Sequence, residues 1–262
     1  MNLLTLIVCV LIPIYTKAWW HPKPLTTWTW QLQGTIDTTK NVQMYDIDLF
    51  DTPIATISKL KQAGRTVICY FSAGSFENWR PDASKFPKSV LGSVMEDWCD
   101  SSTQCEWWLN IKQANMAIIG PIMQARLDLA KSKGCDGVEP DNIDGYTNEN
   151  GVKLTYADQL AYNKWLAQEA HKRQLSIGLK NDLDQIPELV GSFDWALNEQ
   201  CFQYNECNKL LPFINADKAV FICEYKGSTN TFCPKSNQMK FSTIKATLDL
   251  NGKNMAYCLT TV

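Results

Sequence analysis

Two histidines in a chain of 262 residues leave little room for the commonest forms of hydrolytic catalysis. A serine or cysteine hydrolase needs a base beside its nucleophile. Here His21 stands near the start of the chain, and His171 falls at the end of a helical pattern that reads as solvated. Zinc is equally badly supplied, because no Cys-x-x-Cys accompanies those two histidines. The first strand signal is followed by Gln33-Gly-Thr-Ile, which is no phosphate-cradling glycine loop, so a dinucleotide-binding doubly wound sheet is set aside. No Asn-x-Ser/Thr sequon occurs, which excludes N-linked glycan as a source of stability. Neither sign of charge dominates: the net charge of −2, or −3 without Lys17, argues against a nucleic-acid partner. Nothing in the sequence calls for a cofactor.

Residues 1–18 are apolar and uncharged up to Lys17, and Thr16-Lys-Ala18 offers the small residues that a signal peptidase inspects. The expectation is a secretory leader removed before Trp19, too short to anchor the chain in a bilayer, which needs ~20 apolar residues. What remains, 19–262, reads as one extracellular, monomeric domain without membrane contact. Ten cysteines become nine when Cys9 leaves, an odd number that suits an oxidising compartment, four bridges and one thiol. Cys99 with Cys105 and Cys201 with Cys207 would staple short loops, and Cys233 with Cys258 would tie down the tail. Cys69, Cys135 and Cys223 lie in or beside apolar runs, where buried thiols are the rival outcome to a further bridge.

Strand signals recur at 28–34, 43–48, 66–72, 136–141, 175–180, 193–199, 218–225 and 242–248. Most are separated by helical patterns, such as 53–63, 118–133 and 156–173, that stop at Gly64 or Gly134 or run out. Eight strands without a linker predict a (β/α)₈ TIM barrel. An irregular insertion rich in Trp and Cys, 73–110, follows the third strand.

The acids sit where such a barrel keeps its chemistry. Asp46 and Asp48, Glu139 and Asp141, Asp182, Glu199, Glu224 and Asp249 all fall at or beside strand ends, and a barrel gathers those ends on one face. In Asp136-Gly-Val-Glu-Pro-Asp-Asn-Ile-Asp-Gly-Tyr146, alternation puts Glu139 and Asp141 on the same side, and their repulsion raises at least one pKa. Paired carboxylates with aromatic faces and almost no histidine suit glycosidic bond cleavage, which uses one acid for the leaving oxygen and one carboxylate as nucleophile or base. Among the tryptophans Trp79 is the one expected to stack on a sugar.

Trp28-Thr-Trp-Gln-Leu, Tyr45-Asp-Ile-Asp-Leu-Phe-Asp51, Val67-Ile-Cys-Tyr-Phe-Ser-Ala-Gly-Ser75, Trp79-Arg-Pro-Asp82, Leu179-Lys-Asn-Asp182 and Asn198-Glu-Gln-Cys201 complete a set of blocks that resembles glycoside hydrolase family 114, the secreted endo-α-1,4-polygalactosaminidases. The resemblance spans nearly the whole mature chain. It implies a TIM barrel that hydrolyses α-1,4-linked galactosamine or N-acetylgalactosamine polymers, with Asp141 and Glu199 as the catalytic pair. The expected substrate contacts around them are Asp46, Asp48, Tyr70, Ser72, Trp79, Glu139, Asn142, Asp144, Lys180, Asp182 and Glu224. A rim of Asp46, Asp48, Asp51, Glu139, Asp144 and Asp182 would attract a polycation. Lys180 would keep a nucleophile ionised, and Glu199, leaving the apolar run Trp195-Ala-Leu, would be desolvated into a general acid. Alternatives are a barrel hydrolase of another amino-sugar polymer and an inactive carbohydrate-binding barrel.

Overall fold

Short apolar runs cut by Gly, Pro and Asn become strands buried on both faces, and the stretches between them wrap the outside. The computed structural model describes residues 19–99 and 103–259; the expected leader lies outside them. In chain order the elements are β1 Trp28–Gln31, β2 Met44–Asp48, α1 Ile54–Gln62, β3 Thr66–Ser72, β4 Ser75–Glu77, β5 Leu91–Met95, β6 Glu106–Leu109, α2 Met116–Lys133, β7 Gly137–Asp141, α3 Tyr156–Lys172, β8 Ser176–Lys180, α4 Ile186–Leu189, β9 Trp195–Glu199, α5 Leu211–Asn215, β10 Val220–Glu224, α6 Thr229–Gln238, β11 Ser242–Lys245 and β12 Ala256–Tyr257. Eight of the strands form one curled parallel sheet in the order β1-β2-β3-β7-β8-β9-β10-β11, as the barrel reading expects, and β12 adds an antiparallel end.

The insertion differs from its expectation of irregularity. It is a second, antiparallel sheet in the order β4-β6-β5. Burial does not alternate along β5, and its pairing with β6 shifts register between Leu91 and Val94, so no regular pattern marks it in the sequence.

Counting by twos up the barrel strands shows how the interior is graded. Met44, Ile68, Trp195, Phe221 and Ile244 pack at the bottom in one buried cluster with Trp28 and Trp30. Higher up the barrel, inward residues turn charged: Asp46 in β2, two positions beyond Met44, Glu139 and then Asp141 in β7, Lys180 in β8, and Glu199 in β9, four positions beyond Trp195. Gly178 makes the bottom layer possible, since a Cβ there would meet the Trp195 ring at 2.2 Å. The outer layer, between strands and helices, is aliphatic: Ile57, Leu60, Leu127, Leu166 and Val220 are among its buried members.

Four disulfides close: Cys69–Cys135, Cys99–Cys105, Cys201–Cys207 and Cys233–Cys258. Four bridges and one thiol are the expected tally, and the fourth pair, left open by the sequence, is Cys69 with Cys135, which lie 66 residues apart yet meet because β3 pairs with β7. Among the described residues Cys223 alone stays a thiol, and it is buried. Alkylation of the unreduced mature protein under denaturing conditions is therefore expected to add one label by intact mass. Three labels would show that Cys69 and Cys135 are reduced.

Both histidines are at the bottom of the barrel, away from the strand ends. His171 Nε2 lies 2.9 Å and His21 Nδ1 3.2 Å from the Asp194 carboxylate, and Trp19 stacks on His171 while donating to the same carboxylate at 2.9 Å. The solvated helix end expected for His171 is thus a paired site.

Candidate active site

One ammonium organises the strand ends. Lys180 Nζ donates to Glu139 Oε1 at 3.0 Å and to Asp141 Oδ1 at 2.9 Å, and lies 3.5 Å from Glu199 Oε2. A buried lysine, 2% exposed, would ordinarily lose its proton. Burial does pull it that way, but Asp141, Glu139 and Glu199 together hold it protonated, well above its ordinary range. The Trp30 ring supports the ammonium from one side at 4.7 Å, and its indole N–H donates to Glu139 Oε2 at 3.1 Å. Room for this arrangement comes from Pro140. It has no N–H for a ladder, and β7 pairs with β8 only at Gly137 and Val138 before the strands part.

Each chemistry-bearing strand ends in a left-handed corner. Asn142 follows Asp141 at φ 59°, Asn181 and Asp182 follow Lys180 at 50° and 44°, and Gln200 follows Glu199 at 66°. Asn and Asp tolerate this region better than most residues, and the sharp turns keep the preceding side chains at the mouth. Gly74 permits the first corner: a Cβ there would meet the Asn142 carbonyl oxygen at 1.6 Å. The Asn181 side chain then serves Glu199, accepting from its backbone N–H at 3.0 Å and donating to Oε2 at 3.3 Å. The Tyr225 hydroxyl donates to the other oxygen of Glu199.

Above this cluster opens a cleft of about 970 Å³, bordered by Trp79, Met95, Asp97 and Trp98 of the insertion and by Leu248 and Asp249 beyond β11. Nine carboxylates and two cations, Arg80 and Lys180, line it. Burial pushes Asp144 up to about 7, with the Asp141 charge adding to it, and burial likewise holds Glu106 at about 7, with Glu77 adding.

The sequence matches the family model of Glycoside-hydrolase family GH114 over residues 13–262. The chain belongs to glycoside hydrolase family 114. A crystal structure of Aspergillus fumigatus Ega3 in complex with galactosamine agrees with this family 114 chain at 44% identity and a TM-score of 0.85, covering 94% of this chain and 100% of that one. The glycoside hydrolase domain of PelA from Pseudomonas aeruginosa, at 11% identity and a TM-score of 0.63 over 86% of this chain and 95% of that one, shares the fold. No curated protein matches the chain. As a family 114 member the protein is a glycoside hydrolase.

Of the residues expected at the site of this family 114 hydrolase, Asp48, Tyr70, Trp79, Asp141, Asn142, Asp144, Lys180 and Glu199 line the cleft. The rim reading of Asp46, Glu139 and Asp182 is corrected: Asp46 and Glu139 are 0% exposed beneath the cleft floor, and Asp182, 2% exposed, is held behind the wall by Asn163 at 2.8 Å. Asp48 borders the cleft but commits both oxygens to Arg80, at 3.2 and 2.7 Å. Ser72 is buried and receives the Asn142 amide at 2.9 Å, so it positions Asn142. Glu224 is buried and caps the Phe202 N–H at 2.9 Å. Glu199 is also unlike its expectation. Its carboxylate sits among a phenol, an amide and an ammonium instead of in an apolar sheath, because Trp195 and Leu197 point below it. Sequence reasoning missed Trp30, Arg80, Asn181 and Tyr225. Asn181 and Tyr225 each follow a strand-end residue by one position, a spacing that carries a signal in a barrel.

Proposed function

We propose that this family 114 hydrolase is secreted as a single domain of residues 19–262 and cleaves internal α-1,4 linkages of a galactosamine or N-acetylgalactosamine polymer, with Asp141 as nucleophile and Glu199 as acid/base. The observation that carries the reading is the shared Lys180. Its distances of 2.9 Å to Asp141 and 3.5 Å to Glu199, laid end to end, cap the gap between the nearest oxygens of the two carboxylates just under ~6.5 Å. That ~6.5 Å is the lower edge of the range that admits a water between the carboxyls, so the geometry favours a covalent intermediate and retention. The Lys180 ammonium lies closer to Asp141, at 2.9 Å, than to Glu199, at 3.5 Å, and its charge faces the attacking carboxylate. Glu199, served by Tyr225 and Asn181 on one side and open to the cleft on the other, delivers the proton to the leaving oxygen and takes it back from water.

The substrate reading rests on charge. A cleft with nine carboxylates against two cations suits a chain of protonated amines. The amide nitrogen of Asn142 is already committed to Ser72 and Ser75, at 2.9 and 3.3 Å, which leaves its side-chain oxygen to accept from a nitrogen at C2 of the sugar. Ega3 has been crystallised with galactosamine.

Purified galactosamine, N-acetylgalactosamine and other amino-sugar polymers, digested side by side, are expected to give oligosaccharides only from the first two by mass spectrometry. Proton NMR of the first-formed reducing ends should show the α-anomer. Cleavage of only another polymer would overturn the substrate, and initial β-anomer would overturn the roles of the two acids.

A further inference from the structure

We propose that Asp46 and Glu139 form a proton-sharing carboxyl pair under the catalytic centre, with Asp46 as the neutral acid donating to Glu139, and that Asp46 is thereby a positioning residue for Lys180. The argument begins with an orphan. Asp46 is 0% exposed, and neither of its carboxylate oxygens meets an N–H or O–H donor. An ionised carboxylate left so is among the costliest things a protein interior can hold. Its polar neighbour is the Glu139 carboxyl, also 0% exposed, which lies within hydrogen-bonding reach. Two anions do not share such a space, so the pair holds a proton.

The surroundings decide where that proton sits. Glu139 has a donor on each oxygen, Lys180 at 3.0 Å and the Trp30 indole at 3.1 Å, and both favour its charged form. Asp46 has neither. It lies in register with Trp30 on one side and Ile68 on the other. The other titratable and charged groups facing the pair are Tyr70 from β3, Asp141 from β7 and Lys180 from β8; the Asp141 charge disfavours a further anion, while Lys180 already bonds to Glu139. Burial, with Glu139 adding, holds Asp46 well above the ordinary carboxylate range.

The arrangement has a use. With one proton in the pair, Lys180 sees a single negative charge below it and keeps the remainder of its pull for Asp141 and Glu199. With Asp46 ionised, a second charge below would draw the ammonium down, away from the catalytic carboxylates.

Replacing Asp46 by Val removes the donor, and kcat is expected to fall about tenfold or more, the worth of one good buried hydrogen bond. Asp46→Asn restores a neutral donor and is expected to recover most of that loss. If Asp46 works as an anion, Asn fails as badly as Val, and the proposal is overturned. These kinetics rest on Asp141 and Glu199 being the catalytic pair; an infrared measurement does not. At about pH 9, where other carboxyls have ionised, the wild-type protein should keep a protonated-carboxyl C=O band that shifts in heavy water and is missing from Asp46→Asn. Absence of that band from the wild type would sink the proposal even where neither variant folds.

Discussion

Asp141→Asn is expected to lower kcat on the polymer by on the order of 10³-fold or more, and Glu199→Gln by about 10²–10⁴-fold, with thermal midpoints close to wild type. Both swaps keep shape. On the proposed roles the first removes the electron pair that attacks the sugar, and it leaves Lys180 still bound to Glu139 at 3.0 Å, so the framework of the site survives. The second removes the proton that the leaving oxygen needs. A sugar with a leaving group that requires no proton, such as a nitrophenyl glycoside, separates the two: it should recover the first chemical step in Glu199→Gln and recover nothing in Asp141→Asn. Recovery in the opposite variant would exchange the two roles, and near wild-type turnover of the polymer by either would remove that residue from the mechanism.

The folded protein is expected to lose stability as pH rises from about 5 to about 8, its thermal midpoint falling by roughly ten degrees, since several buried carboxyls release protons on unfolding there. Burial pushes Glu106 and Asp144 up to about 7 and Asp182 up to about 8, the last with the Asp144 charge adding. In the unfolded chain such groups ionise near ~4. Between those values the native state binds more protons than the unfolded one, so stability falls with rising pH and levels off once the folded groups have ionised. Asp37, Asp158 and Glu169 are shifted downward by their hydrogen bonds, Asp158 and Glu169 against the burial that opposes them, and they act only below ~4, outside this window. Asp182→Asn should flatten part of the slope. A midpoint that climbs through the same interval in scanning calorimetry would show that these groups are ionised in the native state.

The outline of the barrel was legible because short apolar runs alternate with helical patterns and stop at turn residues, and the acidic block was legible because its carboxylates crowd a strand end. What alternation reports is the side of a sheet; height within the barrel it does not report. Asp46, Glu139 and Asp141 all read as inward, yet only Asp141 stands high enough to line the cleft. Trp30 was invisible for a related reason, since a tryptophan in a strand reads as core whichever way its indole N–H points. The bridge between Cys69 and Cys135 depends on which strands are neighbours, and no spacing along the chain encodes that.

The barrel's seam carries a consequence of its own. Among the described residues β1 and β11 share no ladder; they are joined by the Trp28 indole donating to the Ser242 carbonyl at 2.7 Å, by the Leu32 N–H reaching the Leu250 carbonyl at 2.9 Å, and by β12, tethered through Cys258 to Cys233. A ring laced in this way is topologically a ribbon with two selvedges, and unpaired strand edges recruit strands from other molecules. Reductive cleavage of Cys233–Cys258 would cut β12 loose from α6, so the closure of this seam is tied to the oxidation state of one bridge between the two chain segments.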